Sequence, residues 1–304
     1  ESVTGVQTCA LPILIMSYQL YTDATADFCP EMAAPYAEIK VIPMELTVGE
    51  EPHTYGPGGD LTVKDFYEAL RGGKFASTSQ INPVVYEEAF RKTLEEGKDI
   101  LYLCFSSGLS STYQSVQIAV KDLEEEFPER KIVCIDTLCA SVGEGFLVRE
   151  AARLQSEGLS MEELADWVMA HRLDICHWFT VDMFDHLRHG GRVSAAAAAI
   201  GTVLQIKPML HVSNDGKLEV VEKPRGQKKA MAMQLDYMKK GWNPGISPLV
   251  LIGHGDCPEK AELLKSMVQK EFPNAEIFTT PIGPIIGSHT GPGMLALIYW
   301  GTNR

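Results

Sequence analysis

Two hydroxyl-rich turns carry the residues of this sequence that are best suited to binding chemistry. Thr78-Ser79-Gln80 stands just before Asn82-Pro83, and Ser106-Ser107-Gly108 separates an apolar run at 100–105 from a long helical pattern. A small polar loop between a strand and a helix directs free backbone N–H groups and hydroxyls toward one point, which suits a phosphate or a carboxylate. The two turns therefore predict a site that holds an anionic group.

Each turn also fits a purely structural role. Serine is a favoured helix N-cap, so Ser106 and Ser107 suit the start of a helix, and Thr78 with Ser79 suits an ordinary turn. The second hydroxyl and Gly108 exceed what a cap needs. Because ligands of open α/β sheets bind beyond the carboxyl ends of the strands, we expect the two turns to share one site.

Two glycine-rich segments add a cation and an imidazole. Gly190-Gly191-Arg192 joins a flexible turn to a positive charge whose planar fork suits an anion, although a helix end followed by a solvated arginine has the same pattern. His289 lies between Gly287 and Gly293, in a segment that we expect to form a loop fixed by its glycines and proline. A lone histidine is usually structural, but this setting favours a functional role. The histidines are too scattered to predict a metal site.

Composition limits the classes of partner. The chain has 304 residues, of which 45% are apolar, and a formal net charge of −13. Such a charge repels nucleic acid and anionic membranes over most of the surface, so an anionic ligand needs a local site. Against this background, Lys223, Arg225, Lys228 and Lys229 form a basic patch that suits either a solvated helix start or an acidic or nucleotide-bearing partner.

Common enzyme motifs are missing from the sequence. It has no G-x-G-x-x-G, no G-x-x-x-x-G-K-[ST] and no G-x-S-x-G. We therefore expect a binding protein that is not itself catalytic. Seven cysteines without a C-x-x-C pair predict a reducing, cytoplasmic location. Residues 1–15 are expected to be a non-native or disordered leader, because no basic residue precedes their apolar run and Met16 suits a natural start.

Alternating patterns predict an α/β fold of two domains. Over residues 16–177, apolar runs alternate with helical patterns, which is typical of a parallel sheet flanked by helices. Ile39–Leu46 predicts one strand, and Leu109–Phe127 predicts a helix with Ser111 and Gln114 in capping-box positions. Over residues 178–304, an alanine-rich helix at 195–203 and a hairpin signal at 214–216 predict a second α/β domain with a mixed or antiparallel sheet.

Several short motifs follow one another at specific spacings. They are Thr22-Asp23-Ala24-Thr25-Ala26-Asp27, Thr78-Ser79-Gln80, Ser106 to Tyr113, Asp136-Thr137 with Gly143, Gly190-Gly191-Arg192-Val193-Ser194, Ile206-Lys207-Pro208, Arg225-Gly226 and Gly287 to Gly293. In this order they resemble the DegV family of fatty-acid-binding proteins, from Tyr18 to the end of the chain. The sequence departs from the family at Ala24, which replaces a usual serine, and at Ser111, which replaces a usual glycine.

The resemblance implies that one long-chain fatty acid lies between the two domains. The implied carboxylate contacts are Thr78 or Ser79 and Ser106 or Ser107, with Gly108 in the same turn and His289 nearby. The implied head-group loop is Gly190, Gly191 and Arg192. Arg225 would lie on the face that docks a fatty acid kinase, which phosphorylates the presented carboxylate to an acyl phosphate. No metal or cofactor is implied besides the fatty acid itself.

An aliphatic tunnel would hold the acyl chain. Its candidate lining residues are Ile200, Val203, Leu204, Ile282, Ile285 and Ile286, each of which equally suits an ordinary core. Two alternatives stay open on the sequence alone. Ser107 with His289 and Asp23 suits a serine hydrolase, and the loop before Leu109 suits a phosphosugar or nucleotide.

Overall fold

The computed structural model describes residues 18–28, 30–33, 36, 38–193 and 205–304. The expected leader at 1–15 lies outside this part of the chain. So do the alanine-rich helix and the tunnel candidates Ile200, Val203 and Leu204. No helix within the described residues is long and apolar enough to cross a bilayer.

The strands that these residues form are β1 (Tyr18–Asp23), β2 (Ile39–Ile42), β3 (Met44–Val48), β4 (Glu51–Tyr55), β5 (Ala76–Thr78), β6 (Asp99–Cys104), β7 (Ile132–Asp136), β8 (Ile175–Thr180), β9 (Met209–Val212), β10 (Leu218–Glu222), β11 (Leu249–His254), β12 (Glu276–Pro281) and β13 (Leu295–Trp300). Their α-helices are α1 (Pro30–Ala33), α2 (Val63–Arg71), α3 (Pro83–Glu95), α4 (Thr112–Glu126), α5 (Ser141–Ser156), α6 (Met161–His171), α7 (Asp185–Gly190), α8 (Gln227–Gly241), α9 (Pro258–Glu271) and α10 (Pro284–Thr290).

The N-terminal half contains the predicted parallel sheet, in the order β2-β1-β6-β7. The apolar strands β1 and β6 are buried along nearly their whole length, as expected when helices cover both faces. Parallel strands end at the same edge. The segments that follow β1, β6 and β7 therefore meet there.

A second sheet in this half was not predicted. The expected strand Ile39–Leu46 is wrong as a single element, because it is divided at Pro43 between β2 and β3. Proline has no backbone N–H to donate, which favours a break. Strand β3 then forms an antiparallel sheet of order β4-β3-β5, in which Leu46 pairs with Thr78.

The C-terminal half forms a mixed sheet in the order β10-β9-β8-β13-β11-β12, with only β11 and β12 parallel. The predicted hairpin joins β9 to β10, and Gly216 adopts φ +70° in its turn. The α/β fold with a parallel-sheet domain and a mixed-sheet domain is thus confirmed. The exact division between residues 177 and 178 stays a prediction. Because β8 belongs wholly to the mixed sheet, we propose the division just before Ile175.

Candidate functional site

A cavity lies between the carboxyl edge of the parallel sheet and one face of the mixed sheet. It contains about 810 Å³ of space, including the part open to solvent. Its wall is mainly apolar. Its apolar lining residues include Met44, Phe105, Leu109, Val142, Phe179, Val212, Leu218, Ile285, Ile286, Met294, Ala296 and Ile298.

Strand periodicity explains why one face of the mixed sheet forms this wall. Met294, just before β13, and Ala296 and Ile298 within it point to the same side, since side chains alternate along a strand. On the neighbouring strand β8, Phe179 pairs with Ala296 and His177 pairs with Ile298. The cavity therefore runs along these two strands.

One end of the cavity carries a cluster of polar side chains, which we call the polar end. It consists of Thr78, Ser79, Gln80, Ser110, Arg192 and His289. The Thr78 hydroxyl and Nε2 of His289 are 2.8 Å apart, within hydrogen-bonding distance. Ser79 and Gln80 are exposed, so this end opens toward solvent. The structure thus joins the first predicted turn to His289.

His289 lies on a short helix and not in the loop that its glycines suggested. Helix α10 begins with Pro284 and ends at Thr290, and the next residue, Gly291, adopts φ +71°. These are common residues at helix starts and ends. The helix packs against both β5 and α7, so it holds the imidazole between the two domains.

The environment of His289 keeps its imidazole neutral near pH 7. Burial, and after it the charges of Arg192, His189 and His186, lower the pKa of His289 to about 4. Its Nδ1 has no hydrogen-bond partner among the described residues and lies against the backbone of Gly190, where a Cβ would come within 2.1 Å. A proton on Nδ1 would be buried without an acceptor, so we assign it to Nε2.

This tautomer sets the direction of the hydrogen bond to Thr78. Nε2–H of His289 donates to Oγ1 of Thr78. The hydroxyl proton of Thr78 is then free to be donated to another group, and a carboxylate oxygen is a strong acceptor for it. The pair therefore supplies a fixed neutral donor at the polar end.

The turn at 190–192 combines its two predicted roles. Gly191 ends α7 with φ +67°, as a helix-terminating glycine does. Arg192 then lines the cavity, where its Nε donates to the carbonyl of Leu109 at 3.2 Å and its Nη1 donates to the carbonyl of Gly190. The guanidinium therefore links the two domains beside His289.

The second predicted turn does not reach the cavity. Ser106 Oγ donates to the carbonyl of Gly216 at 2.7 Å, and Ser107 Oγ donates to Asp136 at 2.5 Å. Ser106, Ser107 and Gly108 are not among the lining residues. The expectation that they contact an anionic ligand therefore stays a prediction, which the contacts of the apolar cavity do not support. In their place, Leu109 and Ser110 of the same loop line the cavity.

Gly108 instead packs against the tip of the β9–β10 hairpin. A Cβ on Gly108 would lie 2.6 Å from the carbonyl oxygen of Asp215 and 2.7 Å from that of Gly216. Because Val212 and Leu218 of the hairpin line the cavity, this contact holds one wall in place.

We expect Gly108→Ala to lower the free energy of unfolding by about 1–3 kcal/mol, since backbone atoms must move to admit the methyl group. Urea denaturation measures the change. Gly245→Ala is the matched control, because its nearest neighbour is a flexible Asn243 side-chain oxygen at 3.2 Å. Equal stability of the two variants would contradict the close contact.

The tunnel candidates differ in their positions. Ile285 and Ile286 of α10 line the cavity, whereas Ile282 is not among its lining residues and packs against Gly253 in the core. Arg225 is also remote from the lining. It is exposed, and its backbone forms an isolated bridge with Ile206.

Several polar residues of the wall were missed by the sequence interpretation. Besides Ser110 and Gln80, they are Thr25, Ser141, His177 and Thr290. Ser110 and Thr25 lie within the motifs quoted above, so position in the motif was an available signal. Burial lowers the pKa of His177 well below its usual range. Because His177 lies within an apolar strand, nothing in the sequence indicated that it lines the cavity.

A buried acidic network supports the wall at Thr25. The Thr25 hydroxyl lies within hydrogen-bonding distance of both Asp23 and Glu144, and Thr22 donates to the other oxygen of Glu144 at 3.2 Å. Burial, followed by the charge of Asp23, raises the pKa of Glu144 well above its usual range. One hydroxyl proton cannot serve two carboxylates, so we infer that Glu144 is protonated and donates to Thr25.

The hydrolase alternative lacks its geometry. A nucleophile and its base must share a hydrogen bond, but Ser107 donates to Asp136 and His289 donates to Thr78. Asp23 accepts hydrogen bonds from Tyr102 and Thr25 instead of orienting the histidine.

Within the described part of the chain, no group of three or more His, Cys, Asp or Glu side chains is arranged to hold a metal ion.

Comparisons with known proteins agree with this fold. A sequence model of the DegV family (uncharacterised protein, DegV family) matches residues 17–301. The DegV domain-containing protein CPE0026 of Clostridium perfringens is 39% identical over 287 residues, which cover 94% of this chain and 98% of that protein.

Several solved structures are similar to the chain. One, described as fatty acid binding of a DegV family protein from Thermus thermophilus, has a TM-score of 0.81 at 28% identity and covers 94% of this chain and 100% of its own. The Fatty Acid Kinase (Fak) B3 protein of Streptococcus pneumoniae, loaded with linoleic acid, has a TM-score of 0.82. It is 23% identical and covers 94% of this chain and 99% of its own, so this likeness concerns the fold alone. From the family match and the 39% identical relative, the chain belongs to the DegV family.

Proposed function

We propose that this protein binds a long-chain fatty acid between its two domains and presents the carboxylate to a fatty acid kinase. One observation carries the proposal: an apolar cavity runs into the interior from a polar end where Thr78 and His289 form a hydrogen bond. A carboxylate at that end and a tail along β13 match the two parts of such a ligand.

The apolar wall supplies the driving force. At about 0.8 kcal/mol per buried methylene, a chain of ~15 methylenes gains on the order of 12 kcal/mol before costs. Fixing the chain and desolvating the head group reduce this gain. The wall also disfavours a phosphosugar or nucleotide, whose hydroxyls would be buried against aliphatic side chains.

Neutral donors hold the head group in this proposal. Thr78 donates its free hydroxyl proton and Ser110 lies nearby in the lining, while Arg192 adds positive charge at the same end. Because no lysine lies among the described residues that line the cavity, the proposal does not place the carboxylate in a lysine ion pair. An oxygen then stays available to attack a phosphoryl group. The Thermus thermophilus structure, described as binding fatty acid, supports the ligand class.

The kinase step rests on the family resemblance and on the basic patch. Arg225 is exposed on a protein of net charge −13, and no ion pair of its side chain is found among the described residues. A free cation of this kind suits an acidic face of a partner. We propose a cytoplasmic location as well, because the cysteines of the described part are free thiols.

Native mass spectrometry of the purified protein tests the proposal. We expect an added mass of about a C14–C18 acid, released on denaturation and identified after extraction. A protein that carries no acid and takes none up from solution would refute it.

A separate experiment tests the kinase step, in which the loaded protein is incubated with a fatty acid kinase and ATP. Acyl phosphate should form on the bound acid, and phosphorylation of free acid alone would contradict presentation.

A further inference from the structure

We propose that the inward-facing residues of β13 set the length of the acyl chain, with Ala296 leaving the passage open and Ile298 marking its inner end. The inference rests on the proposed function and adds a specificity to the same cavity. Its basis is the register of the strands, which gives the cavity a direction and a depth.

The polar end lies at the start of β13. Thr290, one residue beyond His289, lines the cavity, and Met294 lines it just before the strand begins. From Met294 the lining continues through Ala296 to Ile298, which pairs with His177 of β8. Four residues at about 3.3 Å each give a depth of roughly 13 Å along the strand. The head group lies beyond Met294, so the bound fatty acid as a whole is longer than this depth.

The next level of the same face is filled by protein. Trp300 pairs with Ile175 and follows Ile298 by two residues, so it points to the same side. The side chains of Trp300 and Ile175 are fully buried, and neither residue lines the cavity. The ring of Trp300 packs at 5.7 Å from both Phe146 and Trp167. Such a packed aromatic cluster has no low-cost way to move aside, so it forms the floor.

Ala296 controls the passage to that floor. Its methyl group is the smallest side chain of β13 that faces the cavity, and it lies midway between Met294 and Ile298. A larger side chain there projects into the path of the tail. Removing the side chain of Ile298 instead deepens the cavity beside the floor. The two changes should therefore shift the accepted length in opposite directions.

The experiment offers the purified protein an equimolar mixture of straight-chain acids from C8 to C20 and identifies the bound acids by mass spectrometry. Ala296→Leu adds three carbons to the wall, so we expect the bound acids to be shorter by about two to four carbons. Ile298→Ala should lengthen them by about the same amount. Leu297→Ala is the matched control, because Leu297 lies on the same strand but packs in the core on the opposite face.

The outcomes separate this inference from the function on which it rests. Unshifted length distributions in both variants, with acid bound, would overturn the inference. A wild-type protein that binds none of the acids would instead overturn the proposed function. If Ala296→Leu does not fold, Ala296→Val gives the same test with a smaller expected shift. A shift in Leu297→Ala equal to that in Ile298→Ala would also count against the length stop.

Discussion

Replacement of Thr78 by valine is expected to weaken binding of a long-chain fatty acid by about 10- to 100-fold. Valine preserves the shape of the side chain and removes the hydroxyl that donates to the carboxylate. A hydrogen bond to a charged group contributes about 1.5–3 kcal/mol, which corresponds to this loss of affinity. The dissociation constant is measured by competition with a fluorescent acid.

Ser77→Ala is the control for this variant. Ser77 precedes Thr78 on β5, and it is exposed. Its hydroxyl should contribute nothing to binding, so its affinity should match that of the wild type. An unchanged affinity in Thr78→Val would show that the carboxylate is held elsewhere.

Acid is expected to destabilise the ligand-free protein through His289. The pKa of this histidine is lowered from 6.5 to about 4 in the folded state. The unfolded chain therefore takes up a proton between these two values and the folded protein does not. The stability that the neutral imidazole contributes is fully present above pH 6.5, and it is lost as the pH falls toward 4. The expected loss between pH 7.5 and 4.5 is about 2 kcal/mol.

Urea denaturation at the two pH values measures this loss. Other buried histidines also titrate, so the informative quantity is the difference between variants. His289→Gln should lose about 2 kcal/mol less than the wild type on acidification, because glutamine does not titrate. Ser77→Ala, which changes an exposed side chain that does not titrate, should follow the wild type. Identical pH dependence in all three proteins would contradict a buried neutral His289.

Much of the fold was predictable because local patterns determine it. Helix α6 shows such a local pattern, since Ser160 and Glu163 form a capping box at its start. The hairpin was evident from Asp215-Gly216. In contrast, Ser111 precedes α4 without a side-chain cap bond, so that expected capping box is wrong. Strand β4, Glu51–Tyr55, has no buried residue and hence no apolar pattern to predict it.

The candidate site was predictable only in part, because tertiary contacts decide which hydroxyls are free. Thr78 ends a short strand beside α10, and its partner His289 is 211 residues away in the sequence. Ser107 looked equally suitable as a donor to a ligand, but its hydroxyl donates a hydrogen bond to Asp136 at the end of the neighbouring strand. Pro284 and Gly291 were available helix signals around His289, yet the glycines at 287, 291 and 293 favoured a loop.

A crystal structure of the protein saturated with a straight-chain C16 acid tests the central claim most directly. The account predicts one carboxylate oxygen within hydrogen-bonding distance of Thr78 Oγ1, with the tail passing Ala296 toward Ile298. An acid bound with its carboxylate against the Ser106–Gly108 turn, or lying outside the cavity, would contradict it.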